Sequence, residues 1–188
     1  MKKIILFSFF TFLYACQPVE KINDVVFDYN QFSKFDILSN SIEIKEIFEK
    51  KIVDPYIGHT LNVDPSERVI NWVNGNFSAI GNENKFIITI IDASLTQTQF
   101  QNKKVKNFNE KNNFKYELFY LIEFSLYDSF NNILASTLVE TSRSTTSGVY
   151  ISIQEKENII NDLIYLSLVD LSNESNELIK KYMGDFIL

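Results

Sequence analysis

The sequence predicts an α+β domain: a mainly antiparallel sheet of about four strands with two helices packed on one face, a two-layer sandwich. Three observations predict it. Residues 114–127 and 133–145 alternate in polarity on either side of a turn-forming stretch, 128–132, which is the pattern of a β-hairpin. Residues 85–95, KFIITIIDASL, concentrate β-branched side chains as a buried strand does. Two further segments open on helix-capping residues and continue with apolar residues three and four apart.

Taken in order, residues 41–48 begin by alternating, with Ile42 and Ile44 on one side, and read as a strand. Residues 51–63 hold Pro55 and Gly58 and read as an extended connection. Asp64-Pro65-Ser66-Glu67 then starts a helix. Asp64 can cap, Pro65 suits the first helical position, and Glu67 stands three residues after the cap. Val69, Trp72, Val73, Phe77 and Ile80 follow on one apolar face, and Gly81 is expected to stop the helix. Gly75, inside that pattern, costs about 1 kcal/mol relative to alanine and points to close packing.

After the strand at 85–95, residues 97–113 are polar and rich in Lys and Asn. They are expected to form a hairpin arm with Phe100, Val105 and Phe108 as its apolar points. In 114–127, Tyr116, Leu118, Tyr120, Ile122, Phe124 and Leu126 face one way; Glu117, Phe119, Leu121, Glu123 and Ser125 face the other. In 133–145, Ala135, Thr137, Val139 and Thr141 alternate with Ser136, Leu138, Glu140 and Ser142. Ser152 and Glu155 form a second capping box, ahead of a helix of about 30 residues with an interruption expected near Ser172-Asn173. Gly184 is its expected end, and Phe186, Ile187 and Leu188 make a short apolar tail.

The N-terminus lies outside this fold. Lys2 and Lys3 precede an apolar run from Ile4 to Tyr14, too short for a spanning helix, which needs about 20 residues. Leu13-Tyr14-Ala15-Cys16 resembles the lipobox that bacterial lipoprotein signal peptidase cuts before the cysteine. Cys16 is the only cysteine, so no internal disulfide can form, and lipidation explains an odd cysteine in an exported chain. The expected organisation is a signal peptide at 1–15, a lipidated Cys16 with a tether at 16–33, and a single domain at 34–188. By resemblance to proteobacterial lipoproteins, Gln17 after the cysteine favours the outer membrane over retention at the inner one. The expected location is therefore the periplasmic face of the outer membrane.

Counted from Cys16, 16 basic residues stand against 24 acidic ones. That balance argues against nucleic acid and against a polybasic lipid contact, and leaves membrane attachment to the acyl chains. Abundant Ile, Asn, Lys, Phe and Tyr with scarce Gly, Pro and Arg reflect an AT-rich genome, and no internal repeat is found.

Chemistry-bearing patterns are few. His59 is the only histidine and lies in an extended segment. With Cys16 lipidated, a zinc ligand set is not available. No G-x-S-x-G elbow, P-loop or G-x-G-x-x-G pattern occurs. Glu117 and Glu123 are about 20 Å apart along one strand, too far for a glycosidase pair; Glu123 has Glu140 within reach across the hairpin, but the favoured reading is two solvated or Lys-paired carboxylates. The chain is expected not to be an enzyme and to need no cofactor or metal.

Two binding candidates remain. Thr141-Ser142-Arg143-Ser144-Thr145-Thr146 is a hydroxyl-rich strand end whose Arg143 and Ser144 suit an anionic group; the other reading is an edge arginine paired with a carboxylate. Phe119, Tyr120 and Tyr127 with Phe100 and Phe108 suit an apolar docking surface; the other reading is core packing. Trp72 reads as core.

The blocks PYIGHTLNVDPSERVINWVNGNFSAIG, FIITIIDASLTQTQF and YELFYLIEFSLYDSFNNILASTLVETSRS resemble a family of alphaproteobacterial lipoproteins with no established activity. The likeness covers about residues 42–188. Its recognisable points are Pro55, Pro65, Trp72, Gly81, Asp92-Ala93-Ser94 and Arg143-Ser144. In element order the chain is also similar to envelope accessory lipoproteins, namely the auxiliary lipoproteins of lipid-transporting ABC systems and the lipoprotein that plugs the lipopolysaccharide-assembly barrel. The resemblance implies an envelope protein partner and an accessory role in outer-membrane assembly or lipid transport. The alternative is a lipid or small-ligand carrier with a pocket between helices and sheet.

Cys16→Ser should abolish acyl labelling and move the protein from the membrane pellet to the soluble fraction. A variant that still sediments with membranes would remove the lipid anchor from the account.

Overall fold

The computed structural model describes residues 25–101 and 112–188. The leader, Cys16 and Phe108 lie outside the described residues. The fold is the expected α+β sandwich with two principal helices on one sheet face. In chain order the elements are strands β1 (Phe35–Ile37) and β2 (Ser41–Glu46), helix α1 (Pro65–Asn76), strands β3 (Phe77–Ala79), β4 (Lys85–Gln101), β5 (Asn112–Tyr127) and β6 (Ile133–Gly148), and helix α2 (Ile153–Met183). The main sheet has the order β2-β4-β5-β6. β4-β5 and β5-β6 are antiparallel, and β2 joins β4 in parallel.

The core is built on β5. Its inward row of Tyr116, Leu118, Tyr120, Ile122, Phe124 and Leu126 is completely buried. Phe86, Ile88, Ile90, Ala93 and Leu95 continue that face on β4, and Val139 on β6. The strict alternation of β4 is broken once, between Ile90 and Asp92, where Ile91 is an extra residue opposite β5. This bulge is why both Ile90 and Ala93 face inward. The hairpin turn is closed by Asp128, whose carboxylate accepts from the backbone N–H groups of Phe130 and Asn132, each at 2.8 Å, with Asn131 at φ 63°.

Both helices start as expected. The Asp64 carboxylate accepts from Glu67 N, Pro65 opens α1, and Ser152 with Glu155 forms a complete capping box on α2. Val69, Trp72 and Val73 of α1 are buried, as are Ile160, Leu163, Ile164, Leu168, Leu171, Ile179 and Met183 of α2. α2 is continuous through Ser172-Asn173 rather than interrupted. Ser167, Ser172 and Ser175 are buried on its inner side, so these small residues let the helix lie close to the sheet.

Several expectations are corrected. α1 ends at Asn76, before Phe77 and Ile80. Asn76 Nδ2 donates to the Trp72 carbonyl at 2.9 Å, and Phe77 enters β3, which pairs with β1 in parallel. Phe77 stacks on Phe35 with ring centroids 4.4 Å apart, so a tertiary contact takes a residue that helical spacing had claimed. The C-terminal tail extends this small sheet: Leu38 N donates to Phe186 O and Leu188 N to Asp36 O. The strands of the expected arm run on to Gln101 and resume at Asn112, because hairpin pairing satisfies the backbone without needing burial. Phe27 and Phe32 are buried against Tyr165 of α2, so the packed domain begins before the expected residue 34.

The glycines divide. A Cβ on Gly81 would lie 2.7 Å from both Leu38 C and Ser39 N; close approach of backbone, not helix termination, demands this glycine. A Cβ on Gly75 would sit 3.6 Å from Tyr29 Cβ, an ordinary contact. Gly81→Ala should therefore cost about 1–3 kcal/mol. Gly75→Ala should gain about 0.5–1 kcal/mol from helix propensity. Urea unfolding of both variants checks this, and equal effects of the same sign would refute the reading.

Candidate functional site

Arg143 is on the α2-facing side of β6, and its fork is occupied. Nε donates to Asp170 Oδ2 at 2.7 Å and Nη2 to Oδ1 at 2.9 Å, a bidentate pair that raises the guanidinium pKa further. With both side chains more than a third exposed, the pair adds little to stability. Arg143, Ser144 and Thr145 border a groove of about 190 Å³ whose other wall is Ile159, Asp162, Leu163 and Leu166 of α2. An incoming anion would have to displace Asp170. The apolar residues of α2 suit an apolar side chain better.

The groove runs beside the free edge of the sheet. β6 pairs only with β5 among the described strands. Over the 16 residues of β6 the only charged side chains are Glu140 and Arg143. Ile133, Leu134 and Leu138 are exposed. Long edges are ordinarily protected by charges, prolines or cover; this one is hydroxyl-rich and lightly charged.

The expected aromatic surface does not assemble. Tyr120 is fully buried, with its hydroxyl donating to the Pro65 carbonyl at 3.3 Å, and burial pushes its pKa well up. Phe119 lies on the opposite, helix-free face, between Ser94 and Ser142. Phe100 is 39% exposed, but it pairs with Asn113, about 20 Å along the strands from Phe119. Glu123 lies opposite Leu138 and Glu140 opposite Leu121, so the two carboxylates are diagonal neighbours rather than a cross-strand pair. Among the described residues no cluster of His, Cys, Asp and Glu could hold a metal ion.

A polar cluster joins the end of β2 to the start of α1. Lys50 Nζ lies 2.6 Å from Asp64 Oδ2 and 3.7 Å from Glu46 Oε1. The buried Ser66 hydroxyl lies 2.6 Å from Glu46 Oε1 and 2.7 Å from Asp64 Oδ1. Burial pushes the Asp64 carboxyl up, but bonds from Lys50, Ser66 and the Glu67 backbone outweigh it and hold it below the usual value. Lys50 is correspondingly raised, first by its bond to Asp64. The adjoining cavity, bordered by His59, Tyr56 and Ala93, has about 20 Å³, room for about one water. With its groups satisfied by one another, the cluster fixes α1 to the sheet.

The residue that the sequence reading passed over is Arg68. It is only 7% exposed. Its Nη2 donates to the Val25 carbonyl at 3.1 Å, and its Cζ sits 4.1 Å from the Phe27 ring centroid. Its Nε has no hydrogen-bond partner, and among the described residues no carboxylate pairs with it. The four-residue spacing of Arg68, Trp72 and Asn76 was the available signal, since it sets the arginine on the buried helix face.

No protein-family model matches the chain, and no curated protein matches it. Solved structures resemble it weakly. A minor lipoprotein from Acinetobacter baumannii is 8% identical, with a TM-score of 0.40 over 76% of this chain and 96% of that one. The rare lipoprotein B from Shewanella oneidensis is 15% identical, with a TM-score of 0.34 over 73% and 94%. A Helicobacter pylori protein described as a neuraminyllactose-binding hemagglutinin homolog is 9% identical, with a TM-score of 0.38 over 87% and 96%. Likeness at this level transfers no activity. Among the described residues no helix is long and apolar enough to cross a membrane.

Asp64 has a pH signature. Its folded pKa lies below its unfolded value of about 3.9, so its contribution is complete above that pH and is lost as pH falls through the folded value. Asp64→Asn should flatten the loss of stability on acidification below about pH 4, measured by denaturant titration. An unchanged slope would assign the acid sensitivity to other carboxylates.

Proposed function

We propose that this chain is a non-enzymatic lipoprotein of the bacterial cell envelope, anchored through Cys16. Its domain serves as an accessory binding module in outer-membrane assembly or lipid transport. The sequence of leader, lipobox-like Leu13-Tyr14-Ala15-Cys16 and polar spacer supports the anchor, and Gln17 after the cysteine, by resemblance to proteobacterial lipoproteins, supports the periplasmic face of the outer membrane.

The observation that carries the binding role is the edge of β6, which no described strand pairs with on its outer side. A partner segment in extended conformation adds to such an edge through main-chain hydrogen bonds, and alternate side chains supply selectivity. The groove beside Arg143 lies where such side chains would reach α2. The carrier alternative requires space between helices and sheet. Trp72, Tyr116, Tyr120 and Phe124, all fully buried, fill the centre of that layer, and the groove between β6 and α2 opens at its edge.

In-cell cross-linking of the tagged protein, followed by mass spectrometry, should capture one dominant envelope protein. Leu138→Lys places a charge at an exposed edge position. It should reduce that capture at least about tenfold, the effect of 1.4 kcal/mol, while shifting the unfolding midpoint little. Undiminished capture would move the interface elsewhere, and capture of lipid alone would favour the carrier.

A further inference from the structure

Arg68 is a cation enclosed in protein with no direct ion pair among the described residues. Burying a guanidinium is costly unless it is paired. The Val25 carbonyl and the Phe27 ring offset only part of that cost, since neither carries a full negative charge. Arg68 lines a cavity of about 50 Å³, with Thr60, Asn62, Glu157 and Asn161 as its other polar walls. This volume holds a few waters or one small oxyanion.

We propose that this cavity is a binding site for a phosphate-type oxyanion, with Arg68 as its charged anchor. A planar guanidinium presents donors in the fork that such an anion accepts. Asn161 Nδ2 uses one hydrogen on the Glu157 carbonyl at 3.0 Å and keeps its second. Thr60 donates its hydroxyl to Ile57 O, which leaves its oxygen as a wall atom rather than a donor. Glu157 opposes an anion electrostatically, so it limits affinity and favours singly charged forms over doubly charged ones. The site is separate from the β6 edge, and it stands whether or not that edge binds a partner.

The test uses the full chain solubilised in a phosphate-free maltoside and follows backbone amide NMR shifts. Inorganic phosphate, exchanged for chloride at constant ionic strength, should move Thr60, Arg68 and Asn161 in a saturable way. Arg68→Lys should weaken binding at least about tenfold by losing the fork. Should that variant not fold, Glu157→Gln still decides, because removal of the like charge should tighten phosphate binding several-fold. A short-chain phosphatidylglycerol that binds at least about tenfold tighter than phosphate assigns the anion to a lipid headgroup; equal or weaker binding assigns it to a free oxyanion. Absence of saturable shifts with both ligands overturns the proposal. So does a Glu157→Gln variant that loses stability with no gain in phosphate affinity, which would make Glu157 the partner of Arg68.

Discussion

Everything in this domain is referred to one row of side chains, Tyr116 to Leu126 on the inner face of β5. Each large apolar side chain in that row contributes about 1.5–3 kcal/mol by leaving water. Because the strand is paired on both sides, a slip of one residue against either neighbour would turn the row outward. That constraint fixes where α1 and α2 can sit. The Tyr120 hydroxyl bond to Pro65 then ties the first turn of α1 to the same strand. The Lys50, Glu46, Asp64 and Ser66 cluster secures that turn from the other side.

The parts of the fold written in local pattern were legible. Period-two alternation marked β5 and β6, and cap residues marked the starts of both helices. What escaped was set by partners distant in sequence. Pairing direction leaves no trace in a strand's own residues, so the parallel joining of β2 to β4 was not readable. β1 and β3 are three residues each, shorter than any periodicity can reveal. Phe77 obeyed the helical spacing and still left the helix, because Phe35 was there to stack on.

The candidate sites show the same division. Arg143 stood out as one of two arginines, but its partner Asp170 lies 27 residues away on another element. Arg68 carried a readable signal in its spacing with Trp72 and Asn76. The competing expectation is that arginines are mostly exposed. The aromatic surface failed at Tyr120, whose own alternation had already assigned it to the core.

The single extra residue at Ile91 divides β4 into two halves of opposite parity. Drawing it into the ladder would make the pairing regular and yet turn Ala93 and Leu95 out into solvent, with Ser94 and Thr96 turned in; deleting it would leave every face as it is. A one-residue change of length between Phe86 and Leu95 is therefore admissible only where it removes or adds a bulge; any other must come in steps of two. Beyond Gln99, whose partner Phe114 still packs on the core, the hairpin stem is exposed and can lengthen or shorten without turning core residues outward.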